Sequence, residues 1–139
     1  MLKRLLSEDL LNNEKISCDI CETVAERFLP QKKWVSWAER KSVPKEPGLY
    51  IISNEDKIVY IGETSNIHER LTHHENGNGS ALKDKIQDHT GCDPMIYLKS
   101  CKLKVIPVKF GRLEIEKFLI RKYNPIFNNY KLRKRYNKD

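Results

Sequence analysis

The chain has 139 residues, of which 39% are hydrophobic and 32% charged. This composition suits one globular domain that buries about two-thirds of its unfolded surface. No apolar run approaches the roughly 18 residues of a membrane-spanning helix, so we expect no membrane partner. Lys and Arg outnumber Asp and Glu by 26 to 19, and the net charge of +7 favours an anionic partner such as nucleic acid. A basic surface without a polyanionic partner is the alternative.

The N-terminal residues MLKRLLSEDLLNN include several leucines but no continuous apolar core, so we expect no signal peptide. The four cysteines are then expected to be reduced thiols in a cytoplasmic protein. Cys18 and Cys21 form a C-x-x-C motif, and Cys92 with Cys101 would complete four zinc ligands. Small buried thiols explain the same residues, and the sequence leaves both interpretations open.

Apolar residues recur at helical spacing in the N-terminal part of the chain. The pattern predicts amphipathic helices over residues 2–12 and 14–29, the second ended by Pro30. A short helix near Trp34 and Trp37 is less clearly indicated. We therefore predict a helical extension over residues 1–43, followed by one domain over residues 44–130 and a basic tail over residues 131–139.

The domain begins with a hairpin signal, because β-rich runs at residues 48–53 and 57–62 flank a polar turn. A helix is expected after Asn66, which has Glu69 at capping-box spacing. Ser80 can cap a second helix that runs to about His89.

The second half of the domain continues with a short helix opened by Asp93-Pro94. KLKVIPVKF predicts a third strand, at the sheet edge because of Pro107. GRLEIEKFLIRKY predicts a helix that ends at Asn124-Pro125. The expected fold is α/β (α+β): a small three-stranded antiparallel sheet flanked by helices, in the order β-β-α-α-β-α.

Each hairpin strand contains a tyrosine beside a glycine, in Gly48-Leu49-Tyr50 and Tyr60-Ile61-Gly62. A hairpin requires neither tyrosine, and strand packing would account for both. The surrounding residues argue for more. Arg70 follows Tyr60 by ten residues on a predicted helix, and EKFLIRKYNPIFN places Glu116 and Asn128 twelve residues apart.

Together these five features resemble the GIY-YIG nuclease superfamily, over about residues 44–129. The resemblance implies an endonuclease that hydrolyses DNA phosphodiester bonds with one Mg²⁺ or Mn²⁺ ion. It implies Tyr50 as the general base, with Tyr60 or His74 orienting the water, and Arg70 stabilising the phosphate charge. Glu116 would hold the metal and Asn128 would fix the local geometry.

Helical geometry tests two of these assignments. Leu113, Glu116, Ile120 and Tyr123 fall on one helix face, where an unpaired carboxylate is costly. A cation site explains Glu116 there; a buried Glu–Arg pair is the alternative. Ile67, Arg70, Leu71 and His74 also share a face. Arg70 there suits a cleft that binds phosphate, or an arginine that extends over the core. His74 is equally consistent with a structural role.

The expected DNA contacts are Gly62, where the backbone leaves the strand, and the basic tail residues Lys131, Arg133, Lys134 and Arg135. A solvated terminal charge run explains the tail nearly as well. Two other functional classes stay open: a catalytically silent nucleic-acid-binding module, and a nuclease subunit that needs a targeting partner. A restriction-type enzyme cutting both strands would be a homodimer.

Overall fold

The computed structural model describes residues 14–76 and 80–132, with side chains from residue 19 onward. It contains an antiparallel sheet of four strands in the order β1-β4-β2-β3. The strands are β1 (Val35–Ser36), β2 (Gly48–Asn54), β3 (Lys57–Thr64) and β4 (Lys102–Pro107). The helices are α1 (Glu14–Thr23), α2 (Ile67–Asn76), α3 (Ala81–Thr90), α4 (Pro94–Lys99) and α5 (Arg112–Tyr123).

The sheet has one strand more than the three expected. β1 pairs with β4 only at Val35 with Leu103 and at Ser36 with Lys102. A strand of two residues is too short to show alternation in the sequence. β4 is therefore an inner strand at that end, and the expectation of an edge strand was wrong there. Pro107 lies beyond β1 and pairs only with Gly48 of β2, where its missing N–H leaves no partner unsatisfied.

The β2–β3 hairpin closes through Glu55 and Asp56, with φ of 51° and 65°. Two successive residues at positive φ are typical of the turn that matches the twist of paired strands. The register pairs Tyr50 with Gly62 and Ile52 with Tyr60, and it shifts at a bulge after Ile52. The hairpin thus fixes both tyrosines on one face of the sheet.

Each face of the sheet is covered by helices, which gives two cores. On one face, Leu49, Ile51 and Ile61 pack with residues of α1 and α5. On the other face, Tyr50 and Ile52 pack with residues of α2, α3 and α4. The site described below lies where these two layers meet, at the outer edge of β3.

The helices following the hairpin begin and end at the expected signals. Asn66 Oδ1 accepts a hydrogen bond from the Glu69 N–H at 3.0 Å, and Ser80 caps α3 through the Lys83 N–H. The Asp93 carboxylate caps α4 at the Met95 N–H. α5 ends at Asn124, whose φ of 46° is left-handed.

The face of α5 that packs on the sheet differs from the predicted one. Ile115 and Leu119 are its fully buried residues, whereas Leu113 is 55% exposed. Leu113 was expected beside Glu116 on the apolar face, and that prediction was wrong. The helix has apolar residues on most of its circumference, so its pattern alone did not fix its rotation.

The N-terminal segment contributes directly to the first core. α1 continues through a π-helical turn (Val24–Phe28) and a 3₁₀ turn (Leu29–Gln31), which confirms a helical segment ending near Pro30. Ile20, Val24 and Leu29 are buried against the sheet. The helix predicted over residues 2–12 lies outside the described residues. None of the helices described is long and apolar enough to cross a membrane.

The three cysteines whose side chains are described do not come together. Cys21 lies in the core on the α1 side of the sheet and Cys101 in the core on the opposite side, while Cys92 is exposed. The side chain of Cys18 lies outside the described residues. Within the described part of the chain no group of three or more His, Cys, Asp or Glu could hold a metal ion, and the zinc interpretation has no support.

Candidate active site

The outer edge of β3 is capped by groups from the C-terminal part of the domain. Asn128 makes two hydrogen bonds to the backbone of Ile61: its Oδ1 accepts from the N–H at 2.9 Å, and its Nδ2 donates to the C=O at 2.7 Å. The Phe127 N–H donates to the Val59 C=O. Two residues further along β3, Glu116 Oε2 accepts from the Glu63 N–H at 2.8 Å. Two predicted site residues are therefore fixed by one strand edge.

Glu116 is half-buried on α5 and lacks a cationic partner. Among the described residues, no Lys, Arg or His nitrogen lies within 4.0 Å of its carboxylate. Burial raises the pKa of Glu116, and the neighbouring charge of Glu63 raises it further. The hydrogen bond from the Glu63 backbone opposes this rise, as does the charge of Arg70. The described residues therefore do not form the alternative, a buried ion pair between Glu116 and an arginine.

The two signature tyrosines lie beside each other on the α2 side of the sheet. Their ring centroids are 6.0 Å apart. Tyr50 is 0% exposed, whereas Tyr60 is half-buried and lines the cleft. The ring of Tyr50 lies over Gly62, where a Cβ atom would approach three Tyr50 atoms closer than 3.0 Å. Glycine is required there for space.

A chain of hydrogen bonds runs from the buried Tyr50 to two residues that line the cleft. The Tyr50 hydroxyl is 2.8 Å from His74 Nε2, and His74 Nδ1 is 3.0 Å from Ser80 Oγ. Burial raises the pKa of Tyr50 well above its usual value. Burial lowers the pKa of His74 to about 4, with a contribution from the positive charge of Arg70. At neutral pH the pair is therefore an uncharged phenol and an uncharged imidazole.

Arg70 links the residues of the two layers electrostatically. It is exposed on α2 and lines an open cleft of about 680 Å³ together with Tyr60 and His74. Its charge lowers the pKa of the Tyr50 and Tyr60 phenols and of the Glu116 carboxyl. These three groups come from β2, β3 and α5, so one guanidinium lies close to all of them.

The donor set at Glu116 suits a hard cation. One carboxylate oxygen is occupied by a backbone N–H, and the other accepts no hydrogen bond from the described residues. Mg²⁺ is typically held by one or two carboxylates with water molecules completing its shell. A half-buried carboxylate without a cationic partner among the described residues fits that requirement.

The family model for the GIY-YIG catalytic domain matches residues 46–131, more than half of the chain. The chain belongs to the GIY-YIG family. The expected family, the α+β fold and the endonuclease class are thereby confirmed at the level of the family.

Relatives of this GIY-YIG protein include UvrABC system protein C of Hydrogenobaculum sp. (strain Y04AAS1), which is 31% identical over 88 residues. That match covers 63% of this chain but only 14% of the relative. The fold is similar to the GIY-YIG N-terminal endonuclease domain of UvrC from Thermotoga maritima, crystallised with its catalytic magnesium. The TM-score is 0.51 at 24% identity, covering 66% of this chain and 92% of that domain. A point mutant of the same domain has a TM-score of 0.52 at 23% identity, covering 67% and 93%.

The structure of this GIY-YIG protein brings together five of the predicted site residues. They are Tyr50, Tyr60, Arg70, His74 and Glu116. Asn128 lies behind them and braces β3. Gly62 is buried under Tyr50, and β3 continues past it to Thr64, so the idea that the strand ends there was wrong. Lys131 is exposed, and the three basic residues Arg133, Lys134 and Arg135 lie outside the described residues.

Sequence reasoning missed three residues that contact this set directly or through one another. Ser80 contacts His74, Glu63 holds Glu116 through its backbone, and Arg112 forms an ion pair with Glu63. Ser80 was predicted only as a helix cap. Nothing in the sequence indicates that this cap meets a histidine from the preceding helix, because the meeting depends on how α2 and α3 pack.

Proposed function

We propose that this GIY-YIG protein is a metal-dependent endonuclease that hydrolyses DNA phosphodiester bonds. The observation that carries the proposal is the convergence of Arg70, the Tyr50–His74 hydrogen bond and the Glu116 carboxylate: Arg70 and His74 line one open cleft, and the charge of Arg70 acts on both Tyr50 and Glu116. Phosphodiester hydrolysis needs a cation for the phosphate, an acceptor for the water proton and stabilisation of the leaving oxygen. Each of these needs has a candidate residue here.

Arg70 and Glu116 meet the two charge requirements. The exposed Arg70 guanidinium can bind two phosphate oxygens and stabilise the charge that develops on them. Glu116 would hold one Mg²⁺ or Mn²⁺ ion. The similar UvrC domain from Thermotoga maritima was crystallised with its catalytic magnesium. When bound, such an ion supplies positive charge that stabilises the leaving oxygen.

Tyr50 and His74 provide the proton acceptor. In the tautomer whose Nδ1–H donates to Ser80, His74 Nε2 accepts the Tyr50 O–H. As the water oxygen attacks phosphorus, Tyr50 takes the water proton and passes its own to His74. Because Tyr50 is fully buried, water reaches the phenol only after Tyr60 or Arg70 shifts when the substrate binds. Asn128 keeps β3 in register and does not touch the reacting atoms.

Substitution of Glu116 tests the assignment of the metal site. Glu116→Ala is expected to abolish Mg²⁺-dependent nicking of supercoiled plasmid, because it removes the carboxylate that would hold the ion. The matched control is Glu114→Ala, on the same helix turn but exposed, which should nick at the wild-type rate. Circular dichroism would show that both variants fold. Undiminished nicking by Glu116→Ala would disprove the metal site.

The same nicking assay distinguishes the role of Tyr50 from that of Tyr60. Tyr50→Phe keeps the ring over Gly62 but removes the hydroxyl bonded to His74, and a loss of about 10²–10³-fold in nicking rate is expected for a lost general base. Tyr60→Phe should lose about tenfold or less, since Tyr60 only orients the water. The opposite ranking would transfer the base role to Tyr60.

Cleavage assays on defined DNA substrates test both what the protein cuts and the two alternative functions. Short duplex, flap and branched DNA substrates, with cleavage ends read by sequencing, would define what is cut. DNA binding without cleavage over several metal ions would instead favour a catalytically silent binding module. Cleavage only in the presence of a second protein would indicate a subunit that needs a targeting partner, and size-exclusion chromatography would test for the homodimer that a restriction-type enzyme would form.

A further inference from the structure

A second carboxylate lies next to Glu116. The Glu63 backbone N is 2.8 Å from Glu116 Oε2, so the Glu63 side chain begins close in space to the proposed metal ligand. Its negative charge is felt at Glu116, where it opposes ionisation. The Glu63 side chain pairs with Arg112: its Oε1 lies 3.3 Å from Nε of Arg112.

Arg112 is fixed at the start of α5. Its guanidinium bonds both the Glu63 carboxylate and the Lys109 C=O, the latter at 2.8 Å. Arg112 and Glu116 are four residues apart on the helix and therefore neighbours on one face. Glu63 and Arg112 are each 25% exposed, so the charges are partly removed from water and act on each other and on Glu116 more strongly than surface charges do.

We propose that the Glu63–Arg112 pair sets the cation affinity of Glu116, with Arg112 neutralising a second carboxylate that would otherwise bind the metal ion too tightly. This inference rests on the proposed metal site. The pair touches neither substrate nor reacting atoms, so both residues are positioning residues. A catalytic cation must be released and rebound, and a site with one uncompensated carboxylate binds a divalent ion more weakly than a site with two.

The proposal predicts opposite effects for the two halves of the pair. Glu63→Gln removes a negative charge and frees Arg112 to approach Glu116, which should weaken Mn²⁺ binding by about fivefold. Arg112→Gln leaves the Glu63 carboxylate uncompensated and should tighten Mn²⁺ binding by a similar factor. The double variant changes no net charge and should bind Mn²⁺ within about twofold of wild type. All three keep the Glu63 backbone N–H that holds Glu116.

The experiment measures Mn²⁺ alone, by titration calorimetry or by the loss of its free electron-paramagnetic-resonance signal, on the full chain without DNA. Glu114→Gln is the matched control, with the same charge change as Glu63→Gln on an exposed residue of α5. It should alter Mn²⁺ affinity by less than twofold. Circular dichroism and urea unfolding report whether each variant folds.

The outcomes separate this inference from the proposed function. If wild type binds Mn²⁺ and Glu116→Gln does not, while the two pair variants leave affinity unchanged or shift it in the same direction, the pair is only a structural clamp and the proposal is overturned. If wild type binds no Mn²⁺, both the metal site and its tuning fail. If one single Gln variant unfolds, the other single variant still tests the direction of its own effect, and the double Gln variant still tests whether the two effects cancel.

Discussion

The protonation state of His74 depends on whether the protein is folded. It is buried between Tyr50 and Ser80 and surrounded by positive groups, namely Arg70, His73 and Lys83. Burial and these charges lower its pKa to about 4 in the native state, against about 6.5 in an unfolded chain. At a pH of about 6.5, where the unfolded chain begins to bind a proton, the imidazole of the folded protein is therefore still neutral.

The difference predicts acid sensitivity. As the pH falls from about 6.5 to about 4, the unfolded state takes up a proton that the folded state does not, so the free energy of unfolding decreases, by up to about 3 kcal/mol. Urea unfolding from pH 7 to pH 4 should show this decrease in wild type. His74→Asn should be less stable at pH 7 but show a shallower pH dependence.

The control for that measurement is His68→Asn, on the same helix but outside the residues lining the cleft. It should keep the wild-type pH dependence. If His74→Asn and wild type lose stability in parallel over the whole range, the native imidazole binds its proton over the same pH range as the unfolded one, and burial does not lower its pKa.

The candidate site residues could be proposed from the sequence because they lie at fixed spacings within helices and strands that the sequence also predicts. Arg70 and His74 one helical turn apart are an example. Their contacts were not predictable to the same degree. The Ser80 hydroxyl and the Glu63 side chain acquire their roles from neighbours 6 and 49 residues away in the chain.

At the level of elements, the edge of β3 carries the organisation of the site. Edge strands expose unpaired N–H and C=O groups, and here Phe127, Asn128 and Glu116 satisfy those of three β3 residues. The side-chain amide of Asn128 takes the place of a neighbouring strand. The α5–C-terminal segment is thus attached to the hairpin that bears Tyr60.

Asn128→Ala should loosen this attachment. It leaves the N–H and C=O of Ile61 without partners at a partly buried edge, which costs about 1–3 kcal/mol. Hydrogen exchange should show faster exchange at the Ile61 amide, and nicking should fall because Tyr60 and Glu116 lose their common support. Asn129→Ala, whose side chain bonds only Asn124 on the surface, should leave both unchanged. Equal protection of Ile61 in wild type and Asn128→Ala would show that Asn128 is no brace.

Elements with strong local signals were predictable, and those defined by tertiary contact were not. The hairpin, the caps at Asn66 and Ser80 and the end of α5 at Asn124 follow from turn and cap chemistry. β1 exists only because β4 is beside it. The rotation of α5 is decided by Ile115 and Leu119 packing on the hairpin, which a helix with apolar residues on most of its surface does not reveal.

At the scale of the whole molecule, the sheet separates two cores and the proposed chemistry spans both. Tyr50 belongs to the core with α2–α4, while Glu116 is on a helix that packs into the core with α1. The helix α1 is therefore more than an appended element: its Ile20 and Val24 fill the core on which α5 rests. The domain boundary placed at residues 43 and 44 stays a prediction, but the packing of α1 couples it to the position of Glu116.

The net charge of +7 predicts how the whole molecule binds DNA. Each phosphate neutralised by Lys or Arg releases counterions, so log K should fall linearly with log salt, by about 0.9 per contact. With about six contacts, affinity should drop by roughly 10³-fold between 50 and 200 mM salt. Fluorescence anisotropy with the Glu116→Gln variant would measure binding without cleavage.

The basic tail provides the discriminating variant. Replacing Lys131, Arg133, Lys134 and Arg135 by Gln should reduce the salt slope by about 3–4 if each contacts a phosphate, while the urea-unfolding midpoint stays the same because the tail lies outside the family match apart from Lys131. An unchanged slope would mean that the tail is a solvated charge run and that the contacts lie around Arg70. A wild-type affinity insensitive to salt would contradict phosphate-dominated binding altogether, and with it the inference from net charge to a nucleic-acid partner.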